Sequence, residues 1–408
     1  MEKVKYLILG GGPSGLTLGR KLLDLGERDF LVIEKEDTVG GLCRSETVDG
    51  KPLDIGGGHF LDVRRPAVCE FVFRFLEEKE WNSFDRDSRI SIHGMEINHP
   101  FEANIWQLPE EYQDKYLESI KNAGCNTGAE KPVLFTEWIR WKLGDEIADN
   151  YMLPYNGKMF SDTLDELGTY WLEKLPNVSY EDTLRSCQEH RMFGTQPGHA
   201  QFYYPKEYGY GEAFIRIADS MKENVVTGLS VAEVDLENRV ITCDDGRKIQ
   251  ADKIITTIPW DSFEVVGVSD EFKNAVSALK HSAVEIRYVD EDPQTPAHWV
   301  YVPDEKKPYH RILCRCNFCP DSKGYWVETV KKRTAAYADS EWAGNYAYMN
   351  EYAYPLNTID KPQKISFILE EAKSKGVIGL GRWGEHEHYN SDVVMERAMK
   401  LADELIRA

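Results

Sequence analysis

The sequence contains no long apolar run and little positive charge. No stretch approaches the roughly 18 consecutive apolar residues of a membrane-spanning helix, and the apolar run near the start is the short segment 6–9. In 408 residues, 49 Lys and Arg stand against 69 Asp and Glu, a net charge of −20. Such a chain lacks the basic face that nucleic acids and anionic membranes require. We therefore expect a cytoplasmic protein with no signal peptide, no membrane span and no nucleic-acid partner.

Cysteine is also sparse, with eight residues scattered along the chain. They form no recognisable disulfide framework. Cys314, Cys316 and Cys319 make a C-x-C-x-x-C run that suggests metal binding, but no second His or Cys pair follows at zinc-finger spacing. We interpret these residues as reduced thiols in strands and predict no metal site. Repeats, low-complexity tracts and obvious linkers are lacking as well.

What the sequence does contain is a strand–turn–helix–strand pattern at its beginning. A buried strand is predicted over 6–9, a helix over 16–26 and a second strand over 29–33. Residues 10–15 read G-G-G-P-S-G and lie between the first strand and the helix. This order, followed by an acidic residue after the second strand, is typical of a dinucleotide-binding βαβ unit.

The chemistry of dinucleotide binding explains this spacing. Gly10 makes the tight turn, Gly12 lets the backbone approach a diphosphate, and Gly15 lets the helix pack closely on the strand. The helix N-terminus offers free N–H groups and a positive dipole end to that diphosphate. Glu34 can accept hydrogen bonds from ribose hydroxyls. The predicted cofactor contacts in this unit are Gly10, Gly12, Pro13, Ser14, Gly15, Glu34 and Lys35.

Two further glycine clusters favour FAD over NAD. Gly40 and Gly41 follow the ribose-binding acid, where flavoproteins with this unit continue their cofactor contacts. Residues 54–59 read D-I-G-G-G-H, and such a glycine-rich segment can approach a flat ring closely. His59 is therefore a candidate flavin contact, with a surface loop histidine as the alternative. Gly41, Leu42, Gly57 and Gly58 join the predicted cofactor contacts.

The rest of the chain alternates between helical and β-rich regions. Residues 86–104 predict a hairpin leading into a loop, and residues 110–176 have helical periodicity. Pro154 is predicted to interrupt that helical region, whose aromatic residues are read as core. From about residue 200 the pattern is β-like, with a meander over 225–258. A strand, a glycine turn and a helix over 377–406 then suggest a return to the cofactor.

A larger set of motifs carries a family resemblance. These are GGGPSGL, VGGLCRSE, DIGGGHF, HPFEAN, FTEWIRWKLGDEIADNYMLPYNGKMF, FYYPKEYGYG, YVPDEKKPYHR, YAYPLN and GRWGEHEHYNSD. In order and spacing, over nearly the whole chain, they resemble the flavin-dependent UDP-galactopyranose mutases. That family lies within the wider superfamily of FAD-dependent amine oxidase and protoporphyrinogen oxidase-like proteins.

The resemblance implies an α/β fold with a Rossmann-like FAD-binding domain, an inserted helical domain and an antiparallel-sheet substrate domain. The implied FAD-binding domain is discontinuous. The predicted boundaries are 1–85 with 200–265 and 370–408 for the FAD domain, 105–185 for the helical domain, and 86–104 with 270–355 for the substrate domain.

The resemblance also implies a reaction. Family members interconvert the pyranose and furanose forms of a nucleotide sugar without net redox change, using reduced FAD. The flavin N5 acts as a nucleophile on the anomeric carbon, and an iminium adduct lets the sugar open and reclose. An external reductant such as NAD(P)H would supply the reduced form, FADH−. The implied partner is a nucleotide sugar. The sequence does not decide between a monomer and a homo-oligomer.

Site residues follow from the same resemblance. Arg311 corresponds to the Arg that grips the diphosphate, and Lys174 stands where a second Arg is expected, a departure because Lys offers a point charge instead of a fork. Arg382 matches an Arg beside the flavin, and His388 or Tyr389 takes the place of a family Tyr. Further implied substrate contacts are Phe101, Asn156, Phe160, Tyr301 and Tyr354; further implied cofactor contacts are Val225, Gly381, Asn390 and Ser391.

Glu102 departs from the resemblance in an informative way. Related mutases have Gln here, which both donates and accepts, whereas an ionised Glu only accepts. Glu102 would then favour cytosine or guanine over uracil, unless it simply points to solvent.

An oxidoreductase of the amine oxidase or protoporphyrinogen oxidase kind is the main alternative, because it shares the first βαβ unit. A non-catalytic flavoprotein is the third. Only the mutase needs paired cations and tyrosines for a diphosphate.

Overall fold

The computed structural model describes residues 2–172, 178–194 and 200–407. In these ranges the strands are β1 (Glu2–Leu9), β2 (Phe30–Ile33), β3 (Ser45–Val48), β4 (Lys51–Asp54), β5 (Leu61–Asp62), β6 (Trp81–Asp85), β7 (Ser88–Ile92), β8 (Met95–Asn98), β9 (Gln201–Pro205), β10 (Val225–Val226), β11 (Val231–Asp235), β12 (Val240–Cys243), β13 (Lys248–Thr256), β14 (Glu264–Val266), β15 (His281–Val289), β16 (Trp299–Tyr301), β17 (Arg311–Leu313), β18 (Tyr325–Val330), β19 (Ala347–Pro355) and β20 (Val377–Gly379).

The helices of the same ranges are α1 (Pro13–Asp24), α2 (Pro66–Phe73), α3 (Phe101–Asn104), α4 (Glu110–Lys121), α5 (Gly124–Thr127), α6 (Phe135–Ile147), α7 (Leu153–Phe160), α8 (Tyr180–Glu189), α9 (Gly211–Asp219), α10 (Asp270–Ser277), α11 (Lys361–Ser374), α12 (Gly381–Gly384) and α13 (Ser391–Arg407). None of these helices is long and apolar enough to cross a membrane.

A mixed sheet built on β1 carries the nucleotide-binding pattern. Its order is β10-β2-β1-β13-β12-β11-β14, with β20 also paired to β13, and β1 is parallel to both of its neighbours. Both faces are covered, so the central strands read as continuous apolar runs. Ile8 packs into the core that includes α1 and α13, whereas Leu7 packs into the core that includes α10 and α11.

The β-rich region after residue 200 differs from its prediction in two places. Helix α9 lies within it. The predicted strand over 225–234 is also divided, because Gly228 adopts a left-handed conformation with φ of 66°. Val225 therefore pairs in parallel with Val32, while Val231 pairs in antiparallel with Cys243. The predicted hairpin between β12 and β13 is present.

A second sheet, in the order β19-β15-β18-β17-β16-β7-β8, forms the other large layer. The predicted hairpin over 86–104 supplies β7 and β8, whose outer member ends just before the short helix α3. Strands β17 and β18 pair so that Arg311 lies opposite Glu328. This register sets the main charged contact of the site described below.

The helical region breaks at a different residue from the predicted one. Helix α6 contains Gly144 in a left-handed conformation, φ 76°, and a π-helical turn, Ala148–Met152, joins it to α7. The prediction that Pro154 interrupts the helix is wrong, because Pro154 is the second residue of α7. Proline is tolerated in the first turn of a helix, where its missing N–H costs little.

The fold is therefore α/β, as predicted. Its sheets contain both parallel and antiparallel strand pairs, and helices cover both faces of the sheet built on β1. The boundaries of the three domains stay a prediction.

Candidate active site

Two adjoining cavities lie in the described part of the protein. The cofactor cavity, about 690 Å³, is lined by the glycine turn after β1 and by Glu34. The substrate cavity, about 640 Å³, is lined by residues of the second sheet and of α7. Both cavities are lined by His59, Arg382, Tyr389 and Ser391. These shared residues define the junction at which a cofactor in one cavity would meet a substrate in the other.

The cofactor cavity fits FAD on the evidence of its glycines. A Cβ on Gly15 would lie 2.0 Å from the Gly10 carbonyl oxygen, so protein packing itself requires that glycine. A Cβ on Gly12 would find no protein atom nearer than 3.8 Å, and Gly12 lines the cavity. Packing therefore does not explain Gly12, whereas close approach of a diphosphate does. The N-terminus of α1 follows directly.

Glu34 is held in place by backbone N–H groups. Its Oε2 accepts from Gly11 at 2.8 Å and its Oε1 accepts from Glu36 at 3.0 Å. Each carboxylate oxygen keeps a second lone pair. Glu34 is 7% exposed and lines the cavity, so its free lone pairs are available to a ligand there.

The structure brings most of the predicted cofactor contacts together. Those that line the cofactor cavity are Gly10, Gly12, Pro13, Ser14, Glu34, Lys35, Gly41, Leu42, Arg382 and Ser391. Gly58 and Asn390 line the substrate cavity instead. Gly15, Gly57, Val225 and Gly381 line neither cavity.

Two of the predicted cofactor contacts that do not line the cofactor cavity, Gly381 and Val225, have structural roles next to it. Gly381, with φ 79°, would place a Cβ 2.1 Å from Ser14 Oγ, so it lets the chain pass against the start of α1. Val225 is paired within the sheet to Val32. The cavity wall near Glu34 is instead formed by Leu229, Ser230 and Val231. This part of the wall could not be predicted, because the apolar pattern of residues 225–234 does not reveal the division of the strand at Gly228.

His59 is a neutral imidazole at the junction. Burial, reinforced by the Arg382 charge, lowers the pKa of His59 to about 3. Its Nδ1 lies 3.2 Å from the Gly57 carbonyl oxygen. Because a carbonyl only accepts, Nδ1 carries the proton and Nε2 keeps its lone pair. His59 therefore offers a hydrogen-bond acceptor at the point where the two cavities meet.

Arg382 brings an unneutralised charge to the same junction. Its guanidinium donates to the carbonyl oxygen of Tyr389 at 2.8 and 3.0 Å and to that of Ala353 at 3.2 Å. Burial lowers the pKa of Arg382. Within the described ranges no carboxylate forms an ion pair with it. It stays a cation there, because an Arg guanidinium is not deprotonated in proteins.

The substrate cavity contains the remaining predicted contacts that the structure describes. Those that line it are Phe101, Glu102, Asn156, Phe160, Tyr301, Arg311, Tyr354, His388 and Tyr389. His388 lines this cavity alone, with its ring 4.9 Å from that of Tyr354, whereas Tyr389 lines both cavities. Lys174 lies outside the described residues.

Arg311 is anchored before any ligand arrives. Its Nε and Nη2 donate to Glu328 at 2.9 and 2.8 Å, and Nη2 also lies 3.3 Å from Tyr354 Oη. Burial alone would raise the pKa of Glu328, but Arg311 and His310 outweigh it and lower that pKa to about 2. The ionised Glu328 thus fixes the guanidinium, and the Tyr354 hydroxyl accepts from it.

Several residues of this cavity were not predicted as site residues. They are Arg86, His99, Tyr151, Tyr155 and Trp299. Tyr151 and Tyr155 fall on the apolar face of the helical region, and their spacing is that of ordinary core residues. Arg86 stands between two aspartates in the sequence, which is typical of a solvated loop.

The acidic residues of the substrate cavity are largely neutralised by partners. Asp62 pairs with Arg64 at 2.7 Å, Asp392 with Arg65 at 2.7 Å, and Glu387 with Lys361 at 2.8 Å. Glu102 differs, because no cation among the described residues forms an ion pair with it, and burial raises its pKa. Glu102 is partly exposed and lines the cavity.

Lys158, in the Y-N-G-K-M-F motif, binds the backbone of the loop before β17. Its Nζ donates to the carbonyl oxygens of Asp304, Lys307 and Tyr309 at 2.8, 3.3 and 2.7 Å, and the residue is fully buried. Burial lowers the pKa of Lys158 to about 7. The contact ties α7 to the loop that leads into β17, and so to Arg311.

Comparisons with known proteins agree with this geometry. A glycine-lined cavity at the start of α1, joined to a second cavity, is the arrangement of a dinucleotide-dependent enzyme. The family model of flavin containing amine oxidoreductase matches residues 13–287. The chain belongs to this flavin-dependent enzyme family.

Individual relatives match over short stretches. An uncharacterized protein in the nifH2 3′ region of Methanothermococcus thermolithotrophicus is 53% identical over 53 residues, which are 13% of this chain and 50% of that protein. Coproporphyrinogen III oxidase from Mycobacterium leprae (strain TN) is 39% identical over 70 residues, 17% of this chain and 15% of that enzyme. The chain thus spans half or less of the length of these curated relatives.

Solved structures match over the full chain. The crystal structure of reduced UDP-galactopyranose mutase has a TM-score of 0.89 at 24% identity and covers 100% of this chain and 94% of that one. A putative protoporphyrinogen oxidase from Exiguobacterium sp. 255-15 has a TM-score of 0.72 at 13% identity, covering 99% and 98%. These similarities establish the shared fold.

Proposed function

We propose that this protein is a flavin-dependent mutase that interconverts the pyranose and furanose forms of a nucleoside-diphosphate sugar. The observation that carries the proposal is the pair of guanidinium groups, Arg311 and Arg86, in a cavity that adjoins the cofactor cavity. In a chain of net charge −20, two partly buried guanidinium groups that line one cavity favour an anionic ligand. A diphosphate satisfies that requirement, and an amine does not.

The proposed cofactor is FAD, held by Gly12, Ser14, the N-terminus of α1 and Glu34. When bound in its reduced form, it would supply an electron-rich nucleophile for the anomeric carbon of the sugar. Electrons would come from an external donor such as NAD(P)H. The positive charge of Arg382 at the junction would favour a bound cofactor in its anionic reduced form.

The protein side chains would bind and orient the substrate. Arg311 and Tyr354 would stabilise the diphosphate as it leaves, since hydrogen bonds from a fixed cation strengthen as negative charge develops. His59 Nε2 would accept a hydrogen bond from a sugar hydroxyl at the junction. Phe101 and Tyr155 would provide aromatic contacts for the base.

The rival function is substrate oxidation by the flavin, which the family model and the names of the sequence relatives favour. A ligand screen on the FAD-loaded protein separates the two. The proposal expects thermal stabilisation by nucleoside diphosphates and none by amines or porphyrinogens. Stabilisation by amines or porphyrinogens alone, with rapid peroxide formation, would replace it with the oxidase.

A further inference from the structure

The substrate cavity contains a guanidinium with an unusual environment, that of Arg86. Its Nε donates to Ser88 Oγ at 2.6 Å and its Nη2 donates to Tyr301 Oη at 2.9 Å. The guanidinium carbon lies 4.3 Å from the ring centre of Trp299. Among the described residues, none of its hydrogen bonds or ion pairs goes to a carboxylate. Burial lowers the pKa of Arg86.

Such an arrangement is costly unless a ligand completes it. The Arg86 side chain is partly buried, and a cation withdrawn from water is normally paired with an anion. The charge of Asp62 acts on Arg86, but Asp62 is itself paired with Arg64, and the adjacent Asp87 is not the partner of Arg86. Asp87 instead forms hydrogen bonds with Arg89, at 3.0 and 3.1 Å. Arg86 therefore presents to the cavity that it lines a fixed charge that forms no direct ion pair with a carboxylate of the described residues.

Tyr301 points to the same conclusion independently. Its hydroxyl oxygen accepts from Arg86 Nη2 and also from Trp299 Nε1, at 3.1 Å. Two accepted hydrogen bonds occupy both lone pairs of a phenol oxygen. The hydroxyl can then act only as a donor, and Tyr301 lines the cavity. A ligand at Tyr301 must offer an acceptor.

Arg311 and Tyr354 form a second Arg–Tyr pair in the same cavity. Each Arg donates to the hydroxyl of a cavity-lining Tyr, Arg86 to Tyr301 and Arg311 to Tyr354. Burial is the main cause that lowers the pKa of Arg86, and the charge of Arg311 lowers it further. One dianionic group between the two Arg–Tyr pairs would relieve the repulsion between these charges.

We propose that Arg86, with Tyr301 as its donor partner, is a second diphosphate-binding residue of the substrate cavity. This inference rests on the proposed function, which supplies the diphosphate. The family resemblance implies a second cationic contact at Lys174, which lies outside the described residues, and the inference adds Arg86 as a cationic contact. Arg86 offers the planar fork that suits phosphate oxygens and that Lys lacks.

The test uses FAD-loaded protein and calorimetry with UDP, CDP, GDP and ADP, together with the matching monophosphates and nucleosides. Arg86→Met removes the charge and keeps an apolar stem over Trp299. Arg86→Lys restores the charge without the fork. Arg140→Met, an exposed residue that pairs with Asp145 and Asp149, is the control for net charge.

We expect Arg86→Met to weaken the tightest nucleoside diphosphate at least tenfold, the monophosphate less and the nucleoside hardly at all. Arg86→Lys should recover part of the loss, and Arg140→Met should match the wild type. Unchanged diphosphate affinity in flavin-replete Arg86→Met, or equal loss for diphosphate and nucleoside, would overturn the inference alone. If the wild type binds none of the four diphosphates, the proposed function falls too.

Discussion

Arg311 and Glu328 face each other across β17 and β18, with the guanidinium Nε 2.9 Å from Oε2 of the carboxylate. Glu328 is 1% exposed, so its negative charge depends on Arg311 for compensation. Removal of one partner from a buried ion pair typically costs about 3–5 kcal/mol, because it leaves the other charge uncompensated. The pair therefore couples ligand binding to stability, and variants must separate the two effects.

The first prediction concerns this pair. Arg311→Met should lower both thermal stability and nucleoside diphosphate affinity, whereas the double variant Arg311→Met with Glu328→Gln should regain much of the stability. Both should bind the diphosphate at least tenfold more weakly while they retain flavin, because the clamp is absent in each. Calorimetry and thermal denaturation measure the two quantities. A stable, flavin-replete double variant with wild-type affinity would exclude Arg311 from diphosphate binding.

The second prediction concerns Gly12. A Cβ at this position meets no protein atom closer than 3.8 Å, so Gly12→Val should fold but fail to retain FAD. Gly344→Val is the matched control, because a Cβ there meets nothing within 4 Å and the residue is exposed and far along the chain. Flavin absorbance after reconstitution gives the result. Full FAD occupancy of a folded Gly12→Val protein would show that the diphosphate does not pass this glycine.

The nucleotide-binding half of this account could be predicted from sequence because its determinants are local. The glycine spacing, the helix start and Glu34 lie within one βαβ unit, and their order alone indicates the chemistry. The charge environment of the substrate cavity could not be predicted in the same way. The contacts of Arg86 with Trp299 and Tyr301 form only because β16 pairs with β7, two strands that are far apart in the sequence.

The helical region shows the same limit. Tyr155 has the spacing of a core residue and is indeed 8% exposed, yet it also lines the cavity. Burial and ligand contact coincide there, so periodicity cannot distinguish them. The helix is interrupted at Gly144 and not at Pro154. The apolar pattern could not predict this, because it does not depend on the backbone conformation of a glycine.

The third prediction concerns base selection by Glu102. If the ionised carboxylate contacts the base, CDP or GDP should bind more tightly than UDP, and Glu102→Gln should shift the preference toward UDP. Burial raises the pKa of Glu102, and the neutral carboxyl both donates and accepts. The discrimination against UDP should therefore weaken as the pH falls. Titrations at several pH values check this, and a clear UDP preference of the wild type at high pH would mean that Glu102 does not select the base.

The fourth prediction concerns acid sensitivity through His99. Burial, with the charge of Arg86, lowers the pKa of His99 to about 3, while an unfolded His titrates near pH 6.5. Between these values the unfolded state binds one more proton, so stability falls as the pH falls, by up to about 1.4 kcal/mol per pH unit.

His99→Gln should therefore flatten the loss of stability between pH 6 and pH 4, as chemical denaturation at each pH would measure. His190→Gln, at an exposed position, serves as the control. An identical pH profile for His99→Gln and the wild type would show that His99 is protonated in the folded protein.

The most direct test of the account is turnover by the FAD-loaded protein with a panel of nucleoside-diphosphate pyranoses, run in parallel with oxidised and with dithionite-reduced flavin. Products are identified by chromatography, and electrons are counted by flavin absorbance and peroxide assay. We expect furanose formation only with reduced flavin and no net consumption of reductant. Equal turnover in both redox states, or peroxide formation coupled to substrate oxidation without any furanose, would contradict it.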